Sequence, residues 1–300
     1  MKKLDTPIFE KGKFLQNYSM KNLNTWKVGG TARYYFEPGN IDELRELRKW
    51  AYQNNIKVLV LGKGSNVLIS DSGFDGVVIN LTKTLRSYFI NEKEGFIEVQ
   101  AGVLLPTLSI QLSRKNIEGY DFFAGIPGTM GGAVVMNAGC IGKETKNYLL
   151  AVTYMDQKGN IIEKSINDLS IGFRTSEFIK SDRIIVSCKL KYKKGNGIEE
   201  CLEKTKRAIN IRKEKFPLNV ATAGSTFKSP PNGPYPGKII EEIGLKGYRI
   251  GGAMISKQHG NWIINTGSAT SDDIKNLIDY IKTRVYNETK IKLETEVVYI

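Results

Sequence analysis

A chain of 300 residues that is 41% hydrophobic has enough apolar side chains for two or three compact units and is not a disordered tail. Its three separated cysteines, Cys140, Cys188 and Cys201, and its one histidine, His259, exclude a disulfide framework, a zinc knuckle and any multi-histidine metal centre. The formal charge of +13 suits nucleic acid, an anionic membrane or a small polyanionic substrate, but the lysines are spread out, which argues against nucleic acid.

The stretch from Met1 to Lys13 has no apolar run of the kind a signal peptide or membrane span requires, so a cytoplasmic protein without membrane insertion is expected. Asn40 to Asn54 predicts a helix: Asn40 caps it, Glu43 sits at the capping-box offset, and Ile41, Leu44, Leu47 and Ala51 recur at helical spacing. Short β-rich runs follow, VLVL from Val58, VLIS from Val67, VVIN from Val77 and FIEV from Phe96, separated by Gly and Asp turn signals. A second helix starts at Pro106, a favoured first-turn residue, and carries Leu108 and Leu112. Strands are expected near Ala151–Asp156 and Arg183–Tyr192. Beyond a linker at Gly195 to Gly197, Glu199 to Phe216 reads as a charged helix with Leu202, Ala208 and Ile209 inward. The last helix has the clearest amphipathic pattern, with Ile274, Leu277, Ile278, Ile281 and Val285 on one face and Thr270 or Ser271 as cap. LETEVVYI from Leu293 reads as a final strand, and the class is α+β.

Two glycine-rich segments stand out. Gly62, Lys63, Gly64, Ser65 and Asn66 join two strands, without the third glycine and following helix of a Rossmann fingerprint or the Lys-Ser/Thr ending of a Walker loop. What remains is a backbone nest for a phosphate, with Ser65 and Asn66 as side-chain donors, or an ordinary tight β connection. The second segment, GIPGTMGGAVVMNAG from Gly125, has five glycines in fifteen residues and is not expected to form a regular helix. It is either a close-packed loop or a pyrophosphate site, in which Gly131 and Gly132 admit the ligand and Thr129 offers a hydroxyl. Two such loops together suggest an extended dinucleotide.

These loops, with NTWKVGGTARYY from Asn24, FRTSEF from Phe173, AGSTFKSP from Ala223, GLKGYRIGGAMISKQHGNWIIN from Gly244 and LETEV from Leu293, resemble the MurB family of peptidoglycan-synthesis reductases over almost the whole chain. The resemblance implies a two-part FAD-binding region of the vanillyl-alcohol-oxidase (PCMH) type, residues 1–80 and 81–196. A C-terminal α+β substrate-binding domain for a UDP-sugar, residues 197–300, would follow, its final strand returning to the active site. The short path from Phe173 to Ala223 is similar to that of the shorter, type II branch, which lacks a substrate-clamping insertion. Ser229, Pro236 and Val298 depart from the usual family pattern, which bears on substrate contacts and leaves the reaction untouched.

The implied reaction is NADPH-dependent reduction of UDP-N-acetylglucosamine enolpyruvate to UDP-N-acetylmuramate through bound FAD, in a monomer without a metal. The alternative is another FAD-dependent oxidoreductase on the same scaffold. By motif match, Arg174 binds the developing enolate, Ser225 is the proton donor and Glu296 is the assisting carboxylate, while Glu294 is left as a salt-bridge or solvent residue. The same match places Arg212, Lys215 and Lys228 near the UDP phosphates. FAD falls to Gly62, Lys63, Gly64, Ser65 and Asn66 and to Gly125, Pro127, Gly128, Thr129, Gly131 and Gly132. His259 is read as structural.

Overall fold

A computed structural model describes residues 6–215, 220–230 and 232–300. The chain forms two compact units that interleave in sequence: one holds the residues through Tyr18, Ala32–Gly62 and Asp75–Cys201, the other Ser19–Thr31, Lys63–Phe74 and Leu202–Ile300.

The first elements in the chain are β1 (Lys13–Ser19), β2 (Thr31–Glu37), α1 (Ile41–Gln53), β3 (Lys57–Leu61), β4 (Val67–Leu68) and β5 (Phe74–Asn80). Four of the strands make a sheet in the order β1-β2-β5-β3, with β3 and β5 parallel. α1 begins where expected, because the Asn40 side chain accepts the Glu43 N–H. The Glu43 carboxylate instead accepts the N–H groups of Lys11 (2.9 Å) and Gly39 (2.7 Å), pinning the chain that precedes the helix. β1 and β2 carry no turn-bounded alternation and were not anticipated, and the VLIS run yields only the two residues of β4.

Next come β6 (Tyr88–Asn91), β7 (Phe96–Gln100), α2 (Leu105–Arg114), α3 (Met130–Met136), β8 (Gly139–Cys140), β9 (Lys143–Glu144), β10 (Leu149–Met155), β11 (Ile161–Ser165), β12 (Ile171–Gly172), β13 (Thr175–Ser176) and β14 (Ile184–Lys191). An antiparallel five-stranded sheet has the order β11-β10-β14-β7-β6, with β14 buried along most of its length. The helix α3 corrects the expectation of an irregular glycine segment. Thr129 caps it, and Gly131 lets its first turn lie against Ala101, so packing outweighs the poor helix propensity of glycine.

The remaining elements are α4 (Ile198–Lys215), α5 (Pro236–Glu242), β15 (Arg249–Ile250), β16 (Ala253–Ile255), β17 (Ile263–Asn265), α6 (Ser271–Thr289) and β18 (Val298–Tyr299). All five apolar residues expected on the last helix are buried, and Thr270 and Asp273 form a complete capping box. Trp26 joins this core from far upstream, its indole N–H donating to the Ile263 carbonyl at 2.8 Å. Among the described residues no helix is long and apolar enough to cross a membrane, and no cluster of three or more His, Cys, Asp or Glu could hold a metal.

The segment from Ala221 to Lys228 runs between residues 261–265 and 294–296. On one side Asn265 N donates to Ala221 O and Thr226 N to Asn261 O, both at 2.8 Å; on the other Glu296 N donates to Thr226 O (2.8 Å) and Lys228 N to Glu294 O (2.9 Å). Phe227 lies between them, fully buried, and the Asn261 amide both accepts its N–H (2.9 Å) and donates to its carbonyl (2.8 Å). One side chain thus does the work of a strand neighbour. Asn261→Ala strips both backbone groups of their partner and is expected to destabilise the fold by about 2–4 kcal/mol, seen as a lower denaturant midpoint at unchanged slope. A loss below about 0.5 kcal/mol would show that other partners take over.

Candidate active site

At the end of β3, Gly62 lies so close to Thr129 that a Cβ would fall on the Thr129 hydroxyl. The two glycine segments therefore meet at Gly62 and Thr129, with hydrogen alone fitting between them. Thr129 Oγ1 also accepts the Gly132 N–H at 3.4 Å. Met130 N donates to Val103 O and Gly131 N to Ala101 O, both at 2.9 Å, and Gly128 O accepts from Leu105 N. Gly131 is thus committed to packing and a protein acceptor. Gly125 lies against Cys140, whose sulfur would be 3.1 Å from an added Cβ.

Lys63 to Asn66 belong to the second unit. Gly64 has φ +62, and a Cβ there would strike the Leu23 carbonyl, so glycine is required on both counts. Its own carbonyl accepts the Thr25 N–H at 3.1 Å, and none of the backbone hydrogen bonds among the described residues is donated by Lys63, Gly64 or Ser65. Asn66 is committed elsewhere. Its amide donates to Glu296 O at 3.1 Å and its carbonyl accepts from Val298 N at 3.0 Å, tying this loop to the C-terminal segment.

Arg174 sits in the tip joining β12 and β13, in the left-handed region at φ 51. Its guanidinium donates to the main-chain carbonyls of Asn137 (3.3 Å) and Gly139 (3.0 Å) and lies over the Phe173 ring. Gly139 has to be small, because a Cβ would come within 3.0 Å of Nη1. The tip is closed from behind: Glu177 N donates to Ser170 O, and Ser170 N to the Glu177 carboxylate at 2.8 Å. Arg183 at 2.6 Å and Lys164 at 3.1 Å pair with the same carboxylate. Burial works against the charge on Glu177, but the Ser170 N–H and these two cations outweigh it and hold the carboxyl down at about 2.

In the second unit Ser225 bridges to Trp262 and immediately precedes Thr226, whose carbonyl takes the Glu296 N–H. Ser225 and Glu296 are both partly exposed, whereas Glu294 is exposed and pairs with Lys228 at 3.2 Å. Arg212 lies over the Trp262 ring at 5.6 Å, and His259 Nδ1 accepts the Asn261 N–H at 3.1 Å, which fits a structural role for that histidine. Lys215 ends α4, and its side chain lies outside the described residues. Each unit thus assembles its own set: Gly62, Thr129 and Arg174 in one, Ser225, Glu296, Arg212 and Lys228 in the other. Sequence reasoning missed Asn137, Glu177 and Asn261, polar residues whose work is to hold backbone. The glycine-rich run and the Gly-Asn-Trp sequence next to them were the available signals.

Residues 32–165 match the family described as FAD binding domain, and residues 216–300 match UDP-N-acetylenolpyruvoylglucosamine reductase, C-terminal domain. A UDP-N-acetylenolpyruvoylglucosamine reductase of Prochlorococcus marinus subsp. pastoris is 41% identical over 285 residues, covering 95% of this chain and 96% of the relative. One from Clostridioides difficile is 40% identical, covering 93% and 90%. The crystal structure of UDP-N-acetylenolpyruvylglucosamine reductase (MurB) from Thermus caldophilus superposes with a TM-score of 0.78 at 32% identity, covering 97% of this chain and 99% of that one.

Because Glu177 holds its charge in the fold far more readily than in the unfolded chain, its contribution to stability is complete above about pH 4.3 and is lost as pH falls towards 2. The stability difference between wild type and Glu177→Gln is therefore expected to shrink between about pH 5 and pH 2 in denaturant titrations. A difference that stays constant across that window would mean that the carboxylate acts through shape alone.

Proposed function

The chain belongs to the UDP-N-acetylenolpyruvoylglucosamine reductase family, and from that premise we propose how its own residues divide the reaction. It is an FAD-dependent oxidoreductase of peptidoglycan precursor synthesis that uses NADPH to reduce UDP-N-acetylglucosamine enolpyruvate to UDP-N-acetylmuramate. Bound FAD supplies the hydride relay between NADPH and the substrate double bond. Gly62 and Thr129 of the first unit suit its pyrophosphate, since a Cβ at Gly62 would fill the space against the hydroxyl; in the second unit, Ser65 and the N–H groups of Lys63 and Gly64 are donors of the kind a phosphate takes.

The observation that carries the assignment of roles is the presentation of Arg174, a planar fork seated on two main-chain carbonyls. Hydride addition to the terminal carbon of an enol ether conjugated to a carboxylate builds negative charge on the carboxylate oxygens. A pre-set guanidinium stabilises that charge with bidentate geometry, as a lysine point charge does not. Ser225, exposed by the turn at Gly224 (φ 79), protonates the neighbouring carbon, and Glu296 assists. Arg212 and Lys228 meet the UDP phosphates, with Lys215 as a further contact.

The two sheets of the first unit are read as the two FAD subdomains, 1–80 and 81–196, and 197–300 as the substrate domain. The reading also takes the protein to be a cytoplasmic monomer, and size-exclusion chromatography tests the oligomeric part. An oxidase on the same scaffold would consume oxygen, whereas this enzyme is expected to consume NADPH beyond one equivalent per flavin only when the enolpyruvyl substrate is present.

Gly62→Ala, whose backbone tolerates a side chain, is expected to weaken FAD binding by about 10- to 100-fold, measured as flavin absorbance per protein over an FAD titration. Thr129→Ala added to it removes the colliding atoms and should restore part of the affinity; full flavin content in Gly62→Ala alone sinks the cradle. Ser225→Ala should let NADPH bleach the flavin at a near wild-type rate, yet reoxidation by the enolpyruvyl substrate should slow by roughly 10²–10⁴-fold. If stopped-flow absorbance shows both halves slowing together, Ser225 shapes the site rather than donating the proton.

A further inference from the structure

We propose that Asn137 is a positioning residue for Arg174, holding the guanidinium with its carbonyl while its amide keeps the Glu144 carboxylate from closing on that guanidinium. This rests on the reading of Arg174 as the group that binds the developing enolate. Asn137 ends α3 in the left-handed region at φ 43 and is fully buried. A left-handed cap needs only glycine or asparagine, so the cap alone does not call for the side chain. That side chain is occupied throughout. Nδ2 donates to Gly172 O at 2.7 Å and to Glu144 Oε2 at 3.2 Å, and Oδ1 accepts the Lys146 N–H at 2.9 Å. The residue therefore ties together β12, which leads into Arg174, and β9, which carries Glu144.

The other oxygen of Glu144 stands 3.9 Å from Arg174 Nη1, within ion-pair range but too far for a hydrogen bond. A carboxylate this close to arginine ordinarily collapses into a bidentate pair at about 2.8 Å. Here Oε2 is taken by the Asn137 amide and by Lys146 Nζ at 3.3 Å, and the carboxylate is held back. Collapse would set a full negative charge against the guanidinium and offset the positive charge that a developing enolate meets. Gly139 completes the arrangement, since an added Cβ would press on both Nη1 (3.0 Å) and Glu144 Cγ (3.2 Å).

Asn137→Gly keeps the left-handed backbone and deletes the amide. In the FAD-loaded enzyme it is expected to slow reoxidation by the enolpyruvyl substrate about 10- to 100-fold while leaving flavin reduction by NADPH unchanged. Adding Glu144→Gln, which removes the competing charge, should recover most of that loss. Calorimetric binding of UDP-N-acetylmuramate to the oxidised enzyme gives a readout independent of turnover, weakened in Asn137→Gly and recovered in the double variant. Should Asn137→Gly fail to fold, Asn137→Asp keeps volume and left-handed tolerance but cannot donate, and the same one-sided loss with recovery by Glu144→Gln is expected. Equal slowing of both half-reactions, or no recovery with Glu144→Gln, reduces Asn137 to a helix cap and overturns the proposal. Arg174→Lys separates the two levels. If it reoxidises normally, the Arg174 reading fails and this one with it; if it is impaired while the Asn137 variants are normal, this proposal alone falls.

Discussion

A segment packed between two others has to satisfy hydrogen bonds on both edges, and here it does so while Ser225 within it stays partly exposed. The stretch from Ala221 to Lys228 meets the constraint with Asn265 N, Asn261 O, the Asn261 amide, Glu296 N and Glu294 O. Unpaired buried N–H and C=O groups are costly, so these partners fix the register of everything around them. Glu296 cannot slide along Thr226 without orphaning its carbonyl, and the Asn66 amide on Glu296 O carries the same constraint into the glycine loop after β3. The pairing of β18 with β4 continues it in the next two residues. His259 and Trp26 then hold the other side, the first on Asn261 N and the second on Ile263 O.

The other unit solves a different problem, the presentation of a cation on a hairpin too short to have a core. Arg174 at φ 51 and Asn137 at φ 43 are both left-handed, a conformation uncommon outside glycine that persists only where the surroundings over-determine it. They do here. Ser176 Oγ donates to Val135 O at 2.6 Å on one side of the arginine, and the Ser170 and Glu177 pairings close the other. The protein's own hydrogen bonds hold the backbone on both sides of Arg174, and a charge fixed in this way is of the kind that can favour a transition state over the ground state.

Periodicity was legible wherever one face of an element meets a core. Ile274 to Val285 and Leu44 to Ala51 lie where their spacing puts them, because burial of one stripe is a local property. The Phe-Arg-Thr-Ser and Gly-Ser-Thr-Phe motifs directed attention to Arg174 and Ser225 before any coordinates. What failed to show was of two kinds. α3 runs through paired glycines because Ala101, far away in sequence, needs the space, and no local rule contains that contact. Asn137 and Asn261 look like loop residues, since an amide that substitutes for a strand neighbour leaves no periodic trace. The short β8, β9, β12 and β13 pairs, two residues each, fall below the length at which alternation can be read.

Charge adds a last step. A net charge of +13 offers many cations to an anionic substrate, yet many of them already face carboxylates. Lys143 pairs with Asp121 at 2.6 Å and Lys146 with Glu144 at 3.3 Å. Pairs of that kind, partly open to solvent, take up donors whatever they contribute to stability. Arg174 and Arg212 differ in what they rest on: main-chain carbonyls orient the first, with the Glu144 carboxylate 3.9 Å away, and an indole face carries the second. The surplus of positive charge draws a nucleotide sugar towards the protein over about one Debye length, roughly 8 Å at physiological salt. In the proposed division of roles, which cations then bind it follows from the partners each already has, so the placement of Asn137, Gly139 and Trp262 matters more than the net charge.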